Sequence, residues 1–141
     1  MKRKGSAAWT GDLRTGKGLV STESGALDRR PYGFNTRFGD EKGTNPEELI
    51  GAAHASCFSM ALSNELAKAG VANPTIETTA TVEIQQVDGA FAITASHLDV
   101  RVTAKGADKA KLEAAAQTAK ANCPVSKLLK AEVTMTASYE V

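Results

Sequence analysis

The sequence predicts an α+β fold, with antiparallel strands arranged around one long helix. Three observations carry that prediction. Asn45-Pro46 is a helix-start signal, and it opens an apolar run that lacks a polar face. Two alternating apolar/polar segments flank an Asp88-Gly89 turn. A last alternating segment follows on Val133, Met135, Ala137, Tyr139 and Val141. Hairpin-connected strands kept apart from the helices are the pattern of α+β rather than of a doubly wound parallel sheet.

The elements follow in chain order. Ser6–Thr10 alternates loosely and carries the only tryptophan, Trp9; 11–16 is a turn, and Gly18–Thr22 is a second strand, so 5–22 predicts a hairpin. A third short strand is expected in Tyr32–Arg37, after Pro31. Asn45 as N-cap, Pro46 at N1 and Glu48 completing a capping box predict a helix from Pro46 to about Ala69, stopped by Gly70. Thr75–Gln85 is a strand. Its return partner changes face between Ala95 and Leu98, which predicts a bulge near Ser96–His97. A second helix covers about Asp108–Ala121, with Leu112, Ala115, Ala116 and Ala119 on one stripe. Pro124 opens a short third helix through Leu129.

Length and composition bound the rest. A chain of 141 residues is expected to form one domain, 1–141. Seventeen Lys+Arg against sixteen Asp+Glu leave a net charge of +1, so no basic field supports binding to nucleic acid. Met1–Gly5 has the charge of a secretory n-region, but no apolar core follows it. The longest charge-free stretch, Leu49–Asn64, is shorter than the ~20 residues that span a bilayer. The expectation is a cytoplasmic protein with no membrane partner, and in that compartment cysteines are thiols or core fillers rather than a structural disulfide.

The central helix has its own consequence. Leu49, Ile50, Gly51, Ala52, Ala53, Ala55, Phe58, Met60, Ala61 and Leu62 leave it apolar or small on every side. One sheet covers one side of a helix, so the remainder calls for a second copy of the chain, a homodimer with two such helices in its core.

Few residues are equipped for chemistry. Cys57 and Cys123 are 66 residues apart, which excludes a C-x-x-C redox or zinc signature. Cys57, mid-helix, reads either as a nucleophile or as a small buried hydrophobe. Cys123, before Pro124, lies where free backbone N–H groups favour a thiolate, or is a simple cap. Glu47 in the first helical turn complements the helix dipole, and Arg37 alone reads as a surface arginine. His54 lies one turn before Cys57 and is either a core histidine or the base of a Cys–His hydrolase. Two histidines and two cysteines without paired spacing make no zinc site. A dimeric stress-binding protein without catalysis is a further alternative.

Three segments resemble a known family: Pro31-Tyr-Gly-Phe-Asn-Thr-Arg-Phe38, Gly43-Thr-Asn-Pro-Glu-Glu-Leu-Ile-Gly-Ala-Ala-His-Ala-Ser-Cys-Phe-Ser-Met-Ala-Leu62 and Asn122-Cys-Pro-Val-Ser126. They are similar to the OsmC family of osmotically inducible proteins and, more distantly, to the organic hydroperoxide resistance proteins. The first segment favours the OsmC branch. The resemblance implies an intertwined homodimer with its central helices inside. It also implies a thiol peroxidase that reduces organic hydroperoxides and, less well, hydrogen peroxide. Within it, Cys57 is similar to the peroxidatic cysteine and Cys123 to the resolving one. Arg37 and Glu47 match the pair that activates the thiolate. An external dithiol, dihydrolipoamide or a lipoylated protein, is implied as reductant, and no cofactor or metal.

Helix geometry adds one constraint. Glu47 and Cys57 are ten residues apart on one helix, about 15 Å along its axis and about 80° around it. A glutamate side chain does not close that gap, so a Glu47 that serves a cysteine is expected to serve that of the partner, with Arg37 supplied alongside it.

Overall fold

The computed structural model describes residues 1–141, which form two compact units, Met1–Leu49 and Ile50–Val141. In the first, β1 (Gly5–Thr10), β2 (Lys17–Thr22) and β3 (Arg30–Tyr32) make a small antiparallel sheet in that order. Gly5 pairs with Thr22 and Thr10 with Lys17, as a hairpin over 5–22 requires. The connecting turn is tied by Asp12, whose carboxylate accepts the N–H of Arg14 at 2.8 Å and of Thr15 at 3.0 Å, together with the Thr15 hydroxyl. These donors, the hydroxyl foremost, hold the Asp12 carboxyl at about 2. Gly18 lies under the Trp9 and Tyr32 rings: a Cβ there would come within 2.4 Å of the tyrosine.

The third strand departs from expectation. It covers only Arg30–Tyr32, and Phe34–Phe38 is a short helix, α1. Local hydrogen bonds override the strand pattern here. The Thr36 hydroxyl accepts the Gly33 N–H at 2.9 Å and donates to the Gly33 carbonyl at 3.0 Å, which closes a turn. Phe34 and Phe38, four apart, then stack with ring centroids 5.0 Å apart.

The long helix, α2 (Pro46–Lys68), starts as the sequence demands, with the Asn45 Oδ1 accepting the Glu48 N–H at 2.8 Å. It ends in a Schellman arrangement: Gly70 N–H to the Ala67 carbonyl and Val71 N–H to the Leu66 carbonyl, both 3.0 Å. Within its own chain this helix buries a single stripe. Gly51, His54, Phe58, Leu62 and Leu66 are buried, while Met60 is 75% exposed and Ala52, Ala53 and Ser56 face outward. Gly51 is what lets the helix approach the sheet, since a Cβ there would stand 2.9 Å from the Ala80 carbonyl.

β4 (Thr75–Val87) and β5 (Ala90–Thr103) form the expected hairpin, closed by Asp88 and Gly89 at positive φ. The irregularity falls at Thr94, earlier than expected: Ile84 pairs with Ile93 and Glu83 with Ala95. Ser96 already belongs to the core face and is fully buried, and its polar side chain obscured the change of phase in the sequence. β6 (Glu132–Glu140) pairs with β5 in parallel, so the second sheet, β4-β5-β6, is mixed rather than antiparallel. The reason is the connection: α3 (Lys109–Asn122) and α4 (Pro124–Leu128) carry the chain back across the sheet, the crossover that parallel pairing requires.

One face of this sheet is apolar. Leu98, Val100 and Val102 of β5 pack with Phe58, Leu62 and Leu66 of α2 and with Leu112, Ala115, Ala116 and Ala119 of α3. The opposite face is polar, with Arg101 paired to Glu140 and, at 3.9 Å, to Glu77. An antiparallel hairpin tolerates that division.

Candidate functional site

Each unit holds one pair of residues singled out from the sequence. In the first unit, α1 presents Arg37 and the start of α2 presents Glu47. The Arg37 Nη2 donates to Glu47 Oε1 at 2.7 Å, and Nε lies 3.2 and 3.1 Å from Oε1 and Oε2. A bidentate fork of this kind fixes the guanidinium plane. The Glu47 side chain is 10% exposed and that of Arg37 33%, so the cation keeps one side open while its counter-ion is sheltered. Arg37 also lies 5.1 Å from the centroid of the Phe38 ring. The Asn45 amide donates to the Thr36 carbonyl at 3.1 Å and ties the loop before α2 to α1. A cavity of about 310 Å³ opens here, walled by Trp9, Leu13, Tyr32, Phe34, Phe38 and Pro46, with Arg37 at its margin.

In the second unit the structure brings Cys57 and Cys123 together across 66 residues. Both are free, Cys57 half-buried and Cys123 fully buried. Cys123 caps two helices: its N–H closes α3 on the Ala119 carbonyl at 2.8 Å, and α4 starts from it. The two thiols are neighbours that influence one another's titration, and their acidities divide accordingly. Burial and the Cys123 sulfur push the Cys57 thiol up, against the Val125 N–H. Burial also raises Cys123, but it is outweighed by the Ser126 N–H, the Cys57 thiol, the Val125 N–H and the Ser126 hydroxyl, which leave Cys123 below the ordinary thiol value.

His54 is buried and its ring is fully engaged: Nδ1 lies 2.7 Å from the Ser96 hydroxyl and Nε2 2.9 Å from that of Ser126. Burial lowers its pKa, so the neutral ring is favoured. With both nitrogens on hydroxyls it is not placed as a base for Cys57. Ser96 and Ser126 were not singled out in the sequence. The Cys123-x-x-Ser126 spacing, which places a hydroxyl in the first turn beside the thiol, is the signal that could have found Ser126. No group of three or more His, Cys, Asp or Glu side chains is arranged to hold a metal ion. No helix is long and apolar enough to cross a membrane.

Two neighbouring free thiols in an α+β unit, and a forked Arg–Glu pair in the other unit, are the reactive groups the chain offers. The chain belongs to the OsmC-like protein family, whose family model matches residues 39–138. It is 58% identical to the peroxiredoxin OsmC of Escherichia coli (strain K12) over 133 residues, 94% of this chain and 93% of that one. It is 32% identical over 95 residues to an organic hydroperoxide resistance protein of Xanthomonas axonopodis pv. citri, covering 67% of this chain and 65% of that protein. Among solved structures, the organic hydroperoxide resistance protein OhrB of Bacillus subtilis superimposes with a TM-score of 0.69 at 22% identity, over 97% of this chain and 98% of that one. An organic hydroperoxide resistance protein from Elizabethkingia anophelis does so at 0.73 and 21%, over 99% and 97%. Those two likenesses speak to the fold.

Proposed function

We propose that this chain is a two-cysteine thiol peroxidase that reduces organic hydroperoxides, and hydrogen peroxide less well, in cytoplasmic defence against oxidative and osmotic stress. Two free, neighbouring thiols in a chain 58% identical to a peroxiredoxin are the observation that carries the reading. Cys57 attacks the O–O bond as thiolate, releasing an alcohol and becoming a sulfenic acid. Cys123 displaces the sulfenic hydroxyl, giving a 57–123 disulfide and water. An external dithiol, dihydrolipoamide or a lipoylated protein, then restores both thiols.

Within one chain burial, with the neighbouring Cys123 sulfur, disfavours the Cys57 thiolate. A guanidinium is the group that corrects this, because it stays charged in an apolar setting and can stabilise the departing oxygen. A forked carboxylate fixes its plane and offsets its charge. The proposed site therefore completes itself in a homodimer, where the partner's Arg37 and the partner's Glu47 serve Cys57 and the whole chain, 1–141, acts as one OsmC-like domain. The ten-position separation of Glu47 and Cys57 along α2, and the outward face of that helix with Met60 exposed, support this arrangement.

The test is consumption of tert-butyl hydroperoxide with dihydrolipoamide as reductant. Wild type should turn over and show an intrachain disulfide. Cys57→Ser should be inactive, and Cys123→Ser should stop at an oxidised Cys57 that dimedone traps. Equal activity in Cys57→Ser and wild type would sink the assignment. For the composite site, Cys57→Ser and Glu47→Ala subunits are mixed and allowed to exchange. Recovered activity is expected, and its absence in demonstrated heterodimers would place the whole site within one chain.

A further inference from the structure

We propose that His54 is a positioning residue for disulfide closure: buried between Ser96 of β5 and Ser126 of α4, it pins the turn next to Cys123 against the helix that carries Cys57. The inference rests on the resolving role of Cys123 proposed above. His54 lies on α2 one turn before Cys57, and Ser126 lies on α4 one turn after Cys123. The imidazole is fully buried, with the Ser96 hydroxyl 2.7 Å from Nδ1 and the Ser126 hydroxyl 2.9 Å from Nε2. A hydroxyl both donates and accepts, so either neutral tautomer makes both bonds. Both nitrogens are satisfied inside the core, where an unmade hydrogen bond is costly.

The helix α4 needs such a tie. It is five residues long, far below the length at which a helix stands alone. None of its side chains is fully buried, and Lys127 and Leu128 are exposed. Val125 packs against the core, and the Ser126–His54 bond is the one side-chain hydrogen bond from α4 to another element. Cys123 is the joint between α3 and α4, with φ −55° and ψ 126°. On the α3 side its N–H is held by the Ala119 carbonyl at 2.8 Å, and on the α4 side its carbonyl accepts the Lys127 N–H at 3.0 Å. The pin therefore acts on Cys123 through α4, and Cys123 belongs to the core cluster against which Cys57 packs.

The step this assists is closure. The Cys123 sulfur attacks the sulfenic Sγ of Cys57 opposite its S–O bond. The S–S bond forms, the S–O bond breaks, and the departing hydroxide takes the thiol proton and leaves as water. A second hydroperoxide competes for the same sulfenic acid: its O–O bond breaks, an alcohol leaves, and Cys57 becomes a sulfinic acid that a dithiol does not recover. A Cys123 held in line wins that competition. A loosened α4 loses the aim, because small displacements of a reacting atom cost rate steeply.

The test is the partition of that sulfenic acid. With tert-butyl hydroperoxide and dihydrolipoamide, mass spectrometry counts the sulfinic Cys57 formed per turnover. Unfolded chains do not turn over, so a substitution that only destabilises the fold leaves this ratio unmoved. Ser126→Ala should raise it about fivefold, the scale of one hydrogen bond, and Ser126→Thr should restore it. The amide of His54→Gln reaches the place of Nε2 and that of His54→Asn only the place of Nδ1, so the Gln variant should raise the ratio less than the Asn variant. Hydrogen exchange, read without peroxide, should quicken at the Lys127 and Leu129 amides in Ser126→Ala but not at Ala116 within α3. Both Ser126 readouts stand even if the His54 variants fail to fold. An unchanged partition in Ser126→Ala overturns the proposal, whether or not exchange quickens. A wild-type chain that forms no 57–123 disulfide overturns the resolving role instead, and exchange at α4 distinguishes a lost pin from a lost resolving step.

Discussion

The ion pair and the thiol pair are held by opposite means. Arg37 and Glu47 meet through ten residues of local chain, in a unit whose large apolar side chains all retain some exposure. Cys57 and Cys123 meet across 66 residues, in a core containing Phe58, Leu62, Leu66, Leu98 and Leu112 with no exposure at all. The difference follows from the groups. A guanidinium taken fully out of water incurs a desolvation penalty its partner seldom recovers, so it is kept at a cavity margin and aimed by hydrogen bonds and aromatic faces. Thiols are neutral when protonated and enter an apolar core at little cost. One pair is thus positioned by polar geometry, the other by packing.

Perturbing each support in turn tests that contrast. The largest expected effect is on the core: Phe58→Ala should cost about 3–5 kcal/mol, read as a lowered denaturant midpoint, because a fully buried ring leaves a cavity. A cost near zero would mean that α2 does not rely on its buried stripe. Next comes Glu47→Gln. It removes the counter-charge of a partly exposed cation, so about 1–3 kcal/mol is expected. Peroxidase activity should fall further than stability, since a freed guanidinium loses its aim; equal losses would reduce the pair to a structural bond.

Acid should weaken the second unit through His54. Its folded-state pKa is lowered by burial, so the stability from the neutral ring is fully present above the ordinary histidine value of about 6.5 and is lost as pH falls through the folded value. Denaturant midpoints at neutral and acid pH should differ more in wild type than in His54→Gln, and parallel pH profiles would refute the assignment. The smallest effect is expected at Ser59, whose hydroxyl lies 2.8 Å from that of Thr78 and joins α2 to β4. Ser59→Ala should cost about 0.5–1.5 kcal/mol by thermal melting.

The sequence by itself determined the elements governed by near neighbours. Asn45 and Pro46 placed the start of α2, Asp88-Gly89 placed the hairpin, and the four-residue stripe of α3 is the stripe that is buried. The family motifs drew attention to Cys57, Cys123, Arg37 and Glu47, but the residues alone left Arg37 a surface arginine, and its fork with Glu47 came from the short helix at Phe34–Phe38. Tertiary structure decided what depends on distant partners. The parallel placement of β6 and the approach of Cys123 to Cys57 follow from the α3–α4 crossover that returns the chain to the sheet, and the bulge at Thr94 was set by the burial of Ser96 on the core face. The helix at Phe34–Phe38 arose because a threonine and two rings satisfied their contacts locally. The engagement of His54 by Ser96 and Ser126 was not legible either. Hydrogen bonds between residues 42 and 72 positions apart leave no periodic trace in a chain, because only the packed fold brings their donors within reach.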